Sequence, residues 1–137
     1  MELQHEKLTG NIINAFYKVY NTLGAGFLEK VYENALLLEL RSRGIKCMPQ
    51  QQVKVHYEGL QVGFYIADII VEDILIIEIK AAESTCEQHE YQLINYLRAT
   101  DLQLGLLLNF GKSPQFKRKI VSINPRKFKE SVSSVFP

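Results

Sequence analysis

The chain has 137 residues, 47% of them hydrophobic and 23% charged. That balance suits one folded domain of ordinary size and excludes a disordered or fibrous protein. The formal net charge of +1 excludes a uniformly basic nucleic-acid binder.

The charge is unevenly distributed. Residues 1–111 carry 9 Lys/Arg against 14 Asp/Glu, whereas residues 112–129 carry Lys112, Lys117, Arg118, Lys119, Arg126, Lys127 and Lys129 and no acid. An acidic body followed by a basic stretch can set phosphate contacts beside a metal site; a solvated tail is the plain alternative. One domain is expected over residues 1–123, with a basic C-terminal tail over 124–137. Met1 to His5 lack the basic and apolar regions of a signal peptide. No apolar run approaches the roughly 20 residues that span a bilayer. Cys47 and Cys86 lack metal-ligand spacing, so free thiols and a reducing, cytoplasmic setting are expected, with no membrane partner.

Along the chain, Leu8, Ile12, Ile13, Ala15, Phe16, Val19, Tyr20 and Leu23 recur at helical spacing and predict a helix over about 3–23. Gly24 and Gly26 end it. A second helix over about 28–43 follows from Leu28, Val31, Tyr32, Ala35, Leu36, Leu38 and Leu40, with Gly44 closing it. The period then changes. Val53, Val55 and Tyr57 alternate with polar residues as in a half-exposed strand, Glu58-Gly59 makes a turn, and Leu60 to Val71 forms a second strand ended by Glu72-Asp73. Ile74 to Lys80 is apolar on both faces and reads as a central strand covered on both sides. Three strands joined by short turns make an antiparallel meander. A third helix over about 85–100 leads to a buried strand, Leu104 to Phe110, through a crossover that makes it parallel to the central strand. Lys117 to Ile123 adds an edge strand.

The central strand ends in charge. Glu78 and Lys80 are two apart and leave the same face. Asp68 lies on the preceding strand. A three-residue loop centred on Asp73 sets it opposite Glu78; a two-residue loop pairs residue 67 with 78 instead. Carboxylates that close repel, and a divalent cation removes the repulsion. Oxygen ligands suit Mg²⁺ or Mn²⁺, which also take phosphate oxygens and activate water. A lysine nearby orients that water or neutralises developing charge. The chemistry implied is metal-assisted phosphodiester hydrolysis. The same residues also admit a Glu78–Lys80 ion pair at a strand edge with Asp68 exposed.

Asp68 followed by Glu78-Ile79-Lys80 resembles the core motif of the PD-(D/E)xK nuclease superfamily. Gly26-Phe27-Leu28-Glu29-Lys30-Val31-Tyr32 is similar to the signature of its GxxExxY family, and Gln92 with Tyr96 resembles the pair found on the following helix in exonuclease-like members. The likeness runs from about residue 8 to 120. It implies an α/β, restriction-endonuclease-like core: a mixed sheet, antiparallel meander plus parallel crossover strand, flanked by helices. It also implies that Asp68 and Glu78 bind Mg²⁺ (or Mn²⁺), with Glu29 a further ligand, direct or through water. Lys80 would position the nucleophilic water, and Gln92 and Tyr96 would touch substrate or hold the geometry. His89 shares their face, and Glu33, one turn after Glu29, reads as a surface charge, with an alternative acid as its second reading. Ala67 stands where the motif often has proline. The expected activity is hydrolysis of DNA, with RNA second and with a homodimer or larger partner delivering substrate. The alternative is a non-catalytic nucleic-acid or protein interaction module that keeps the fold.

Overall fold

The computed structural model describes residues 5–122. The basic tail over 124–137, with Arg126, Lys127 and Lys129, lies outside the described residues, as does Ile123. Helix α1 (Glu6–Leu23) buries Ile12, Ala15, Phe16 and Val19 along one stripe. It ends at Gly24, whose φ of 75° suits glycine and whose N–H donates to the Tyr20 carbonyl. Helix α2 (Glu29–Ser42) buries Tyr32, Leu36 and Leu40 on its inner face.

Strands β1 (Cys47–Tyr57) and β2 (Leu60–Val71) form a long hairpin. Glu58 and Gly59, at φ 52° and 79°, make the two-residue connection, the geometry whose twist matches that of the paired strands. β1 begins six residues before the expected Val53, because backbone pairing to β2 recruits Cys47 to Gln52, whose residue types show no apolar–polar alternation. Strand β3 (Leu75–Lys80) pairs with the end of β2, and α3 (Glu87–Arg98) crosses over to β4 (Leu104–Phe110), parallel to β3. Strand β5 (Pro114–Ile120) completes the sheet in the order β1-β2-β3-β4-β5. It starts at Pro114 rather than Lys117, since a proline at the head of an edge strand loses no ladder bond that matters. The mixed sheet is the one expected, a meander joined to one parallel pair.

The two faces of the sheet are covered unequally. Leu75, Ile77 and Ile79 of β3 join Leu104, Leu106, Leu108 and Phe110 in the larger core cluster beneath α1 and α2. Ile76 and Leu107 join Leu93 and Leu97 of α3 in the smaller one. The remote half of the hairpin lies beyond β3, and Leu60, Val62, Phe64 and Ile66 on it are exposed.

Tyr32 ties the interhelical loop to this core. Its ring stacks on Phe110 at 4.5 Å, and Phe16 meets Phe110 edge-on at 4.7 Å, contacts worth about 0.5–1.5 kcal/mol each beyond burial. Its hydroxyl donates to the Gly24 carbonyl at 2.6 Å and accepts from the Phe27 N–H at 3.2 Å. Tyr32→Phe keeps the ring and leaves both loop groups without that partner. Urea denaturation is expected to show a loss of about 1–3 kcal/mol; an unchanged midpoint would mean the loop re-pairs elsewhere.

Candidate active site

The β2–β3 register is Ile69 to Ile77, Ile70 to Ile76 and Val71 to Leu75. The connection is therefore the three residues Glu72, Asp73 and Ile74, and continuing the register sets Asp68 opposite Glu78. The ladder stops one pair short of them. In place of a backbone bond, the Ile79 N–H donates to Asp68 Oδ2 at 2.8 Å. Asp68 also marks a change of face in β2. Ile69 and Val71 point into the larger cluster, whereas Ala67 and Tyr65 belong to the α3 side. Across the hairpin the gap falls at Gln50, whose φ is 52°. The two strands thus kink together where the acid is presented.

Glu78 points to the α3 side and is 8% exposed. Its Oε1 is buried without a hydrogen-bond partner among the described residues. Burial first, and the Asp68 charge second, push the Glu78 carboxyl up to about 9, with Lys80 acting weakly in the other direction. A buried acid with an orphaned oxygen beside a second carboxylate is an arrangement that a divalent cation would relieve. Two carboxylates plus water and phosphate oxygens are a usual donor set for Mg²⁺, so these residues fit the ion expected for them.

Lys80 is half-buried on the same face. The ion pairs among the described residues are Lys18–Glu39, Lys30–Glu33, Arg43–Glu39 and Lys119–Glu90; none ties up Lys80. The strand-edge Glu78–Lys80 pair is therefore absent among them. The chain just after Lys80 is held by Asn109, opposite it on β4. The buried Asn109 amide accepts from the Ala82 N–H at 2.9 Å and donates to the Ala82 carbonyl at 3.0 Å.

Tyr96 of α3 stands beside the acid pair. Burial, then the charges of Glu78 and Asp68, raise its hydroxyl above the ordinary range, and a hydrogen bond with Gln92 opposes this. Tyr65 of β2 stacks on the Tyr96 ring with centroids 3.4 Å apart and planes 10° from parallel. The Tyr65 hydroxyl is buried, has no hydrogen-bond partner among the described residues and is also raised, by burial first and by Glu78 second.

A family model of the PD-(D/E)xK nuclease superfamily matches residues 6–121. The chain belongs to that superfamily. Among solved structures, that of SSO0001 is similar at a TM-score of 0.56 and 13% identity, over 96% of this chain and 68% of that one. An alkaline exonuclease from Laribacter hongkongensis aligns at a TM-score of 0.41 and 10% identity, over 98% of this chain and 79% of the other. At that identity the SSO0001 likeness speaks for the fold alone. No protein of curated function matches the sequence.

Within this nuclease-superfamily fold the expected residues are only partly gathered. Asp68, Glu78, Lys80 and Tyr96 converge, with Gln92 one turn from Tyr96. Glu29 is exposed in the first turn of α2, and among the described residues no group of three or more His, Cys, Asp or Glu is placed to hold a metal. Glu33, expected as a surface charge, is 5% exposed. It accepts from Lys30 Nζ at 2.9 Å and from Gln50 Nε2 at 2.8 Å, which brings it against the kink that faces Asp68. Its burial follows from its place on the inner side of α2, next to Tyr32. Sequence reading also missed Tyr65 and Asn109. A polar residue inside the apolar run Leu104 to Phe110 was the available signal for Asn109; Tyr65 left none. Among the described residues no helix is long and apolar enough to cross a membrane, and the thiols of Cys47 and Cys86 are free.

Proposed function

We propose that the chain is a metal-dependent nuclease that hydrolyses phosphodiester bonds of DNA, and of RNA as a second substrate. The observation that carries this reading is the Glu78 carboxyl, buried and partly unpartnered beside Asp68. Asp68 and Glu78 would hold Mg²⁺ or Mn²⁺, which when bound supplies charge for the phosphate and acidity for a water. Lys80, which has no ion pair among the described residues, orients the attacking water and offsets charge on the phosphate oxygens. Gln92 and Tyr96 border the substrate. Glu29 enters only through water, the form that its exposed position supports. Gly26, Glu29 and Tyr32 support assignment to the GxxExxY branch. A specific DNA interface buries about 1,000–2,500 Å² of protein, which favours delivery of the substrate by a homodimer or a larger partner.

A second reading, a non-catalytic interaction module on the same fold, draws on the fact that among the described residues no third acid joins Asp68 and Glu78 in a metal-holding group. The two readings part in a cleavage assay on single- and double-stranded DNA and RNA, with and without Mg²⁺ or Mn²⁺. Wild type is expected to cut only with metal, and Asp68→Ala and Lys80→Ala to lose about 10²–10³-fold or more. Equal cleavage by all three folded proteins would remove the site from consideration. No cleavage by any, with no Mg²⁺ uptake by calorimetry, would leave the interaction module.

A further inference from the structure

We infer that the outer side of α3 carries a base-binding subsite for single-stranded nucleic acid, adjoining the acid pair. A recess of about 560 Å³ lies there, lined by Gln88, His89, Tyr91, Gln92, Asn95 and Tyr96. Its size falls within the range of small-ligand sites, about 300–1,000 Å³, and is too small for a duplex.

The lining decides the chemistry. Among the described residues it includes no lysine or arginine, so those residues do not make it a phosphate site. It offers three side-chain amides and two phenol rings, the groups that read base edges and stack on base faces. Tyr91 is 61% exposed. An aromatic ring left open on a helix and flanked by amides is a stacking platform of the kind that holds unpaired bases. His89 is half-buried, and its Nδ1 is buried without a hydrogen-bond partner among the described residues. The spacing of Gln88, Tyr91, Gln92 and Asn95 puts all four on one helical face, so their relative positions are set by the helix rather than by a loop.

The same geometry selects the strand form. A duplex hides the faces of its bases in the stack, so it offers Tyr91 nothing to stack on and leaves only its groove edges to the amides. An unpaired nucleotide presents both faces and edges. Tyr96 links the subsite to the chemistry, since its hydroxyl senses the charges of Glu78 and Asp68 while it also lines the recess. A base seated there brings its own backbone to the acid pair. The inference rests on the nuclease reading for what adjoins the subsite, but base binding itself needs no cleavage.

The test therefore measures binding without turnover. Fluorescence anisotropy of a labelled single-stranded DNA oligonucleotide, with divalent ions chelated, is compared with the same sequence as a duplex, using the full chain. Wild type is expected to bind the single strand at least tenfold more tightly. Tyr91→Ala should weaken that binding roughly five- to hundredfold, Tyr91→Phe should restore it, and Asn95→Ala should change the preference among bases. Both positions are exposed, and circular dichroism checks that the variants fold. Equal affinity for the two strand forms, no binding by wild type, or wild-type affinity in Tyr91→Ala would each overturn the inference. Single-strand binding in a chain that never cuts would sink the nuclease reading alone. Cleavage by wild type together with unchanged binding in Tyr91→Ala would sink the subsite alone.

Discussion

Glu78→Gln is expected to abolish cleavage and, in metal-free protein, to raise thermal stability at alkaline pH. The ordinary carboxyl value is 4.5 and the folded-state value is about 9. Between them the folded chain keeps a proton that the unfolded chain has released. The contribution of Glu78 to stability is therefore complete below about pH 4.5 and is lost as pH rises through about 9, by at most about 1.4 kcal/mol per pH unit. Glutamine has the same shape and no charge, so the variant loses this slope. Metal binding requires the carboxylate and expels the proton, so Mg²⁺ affinity should rise with pH across the same interval. Added Mg²⁺ should then stabilise wild type at about pH 8 and leave the variant unmoved. Scanning calorimetry from about pH 5 to 9, with and without Mg²⁺, reads all of this. Parallel melting curves for the two proteins throughout would show that Glu78 is not held protonated by its surroundings.

The second large effect is expected from Gly111→Ala. A methyl group at Gly111 would overlap the Ala82 carbonyl oxygen, and it would come within 3.1 Å of Asn109 Nδ2. Both are held in place, Ala82 by its two hydrogen bonds with Asn109 and Gly111 by its own carbonyl, which accepts from the Tyr20 hydroxyl at 2.9 Å. Backbone must move, and the backbone nearest is the segment just after Lys80. A loss of about 1–3 kcal/mol or more is expected, together with reduced cleavage in whatever fraction still folds. Gly105→Ala is the control. There the nearest atoms to the added carbon all belong to the buried Leu93 side chain, at 2.8 Å from Cδ1, so a side chain of α3 must shift and stability falls, but the segment after Lys80 is not pushed. If Gly111→Ala melts and cuts like wild type, the segment after Lys80 is looser than its hydrogen bonds imply.

These two residues show how unevenly the site can be read from the chain. Glu78 and Lys80 stand out because charge ends a strand that is apolar on both faces, and Asp68 because it is the acid on the neighbouring strand. Gly111 carries no such signal. Its requirement comes from Ala82, far away along the chain, and from an asparagine that joins the two loops. Tyr65 likewise becomes part of the site only through the ring of Tyr96, which reaches it from the crossover helix.

Local chemistry in the sequence determined the helices, whose apolar stripes and closing glycines are short-range features, and the alternation that makes strands. It determined the meander, since short turns leave antiparallel neighbours little choice. It also determined that Glu78 and Lys80 leave one face at the end of the central strand, with Asp68 on the strand before it. Tertiary structure decided the rest. Glu72 and Asp73, neither of them glycine, take φ values of 54°, and only pairing on both sides of that loop selects the three-residue connection that faces Asp68 toward Glu78. Pairing with β2 extends β1 over residues that lack any strand pattern. The fold of α2 onto the sheet buries Glu33 against Gln50 and leaves Glu29 in solvent. The physical reason is common to all of these. Helical and strand periods are set by neighbours a few residues apart, whereas register, burial of a charge and the meeting of two rings depend on chain segments that touch only after the sheet has closed.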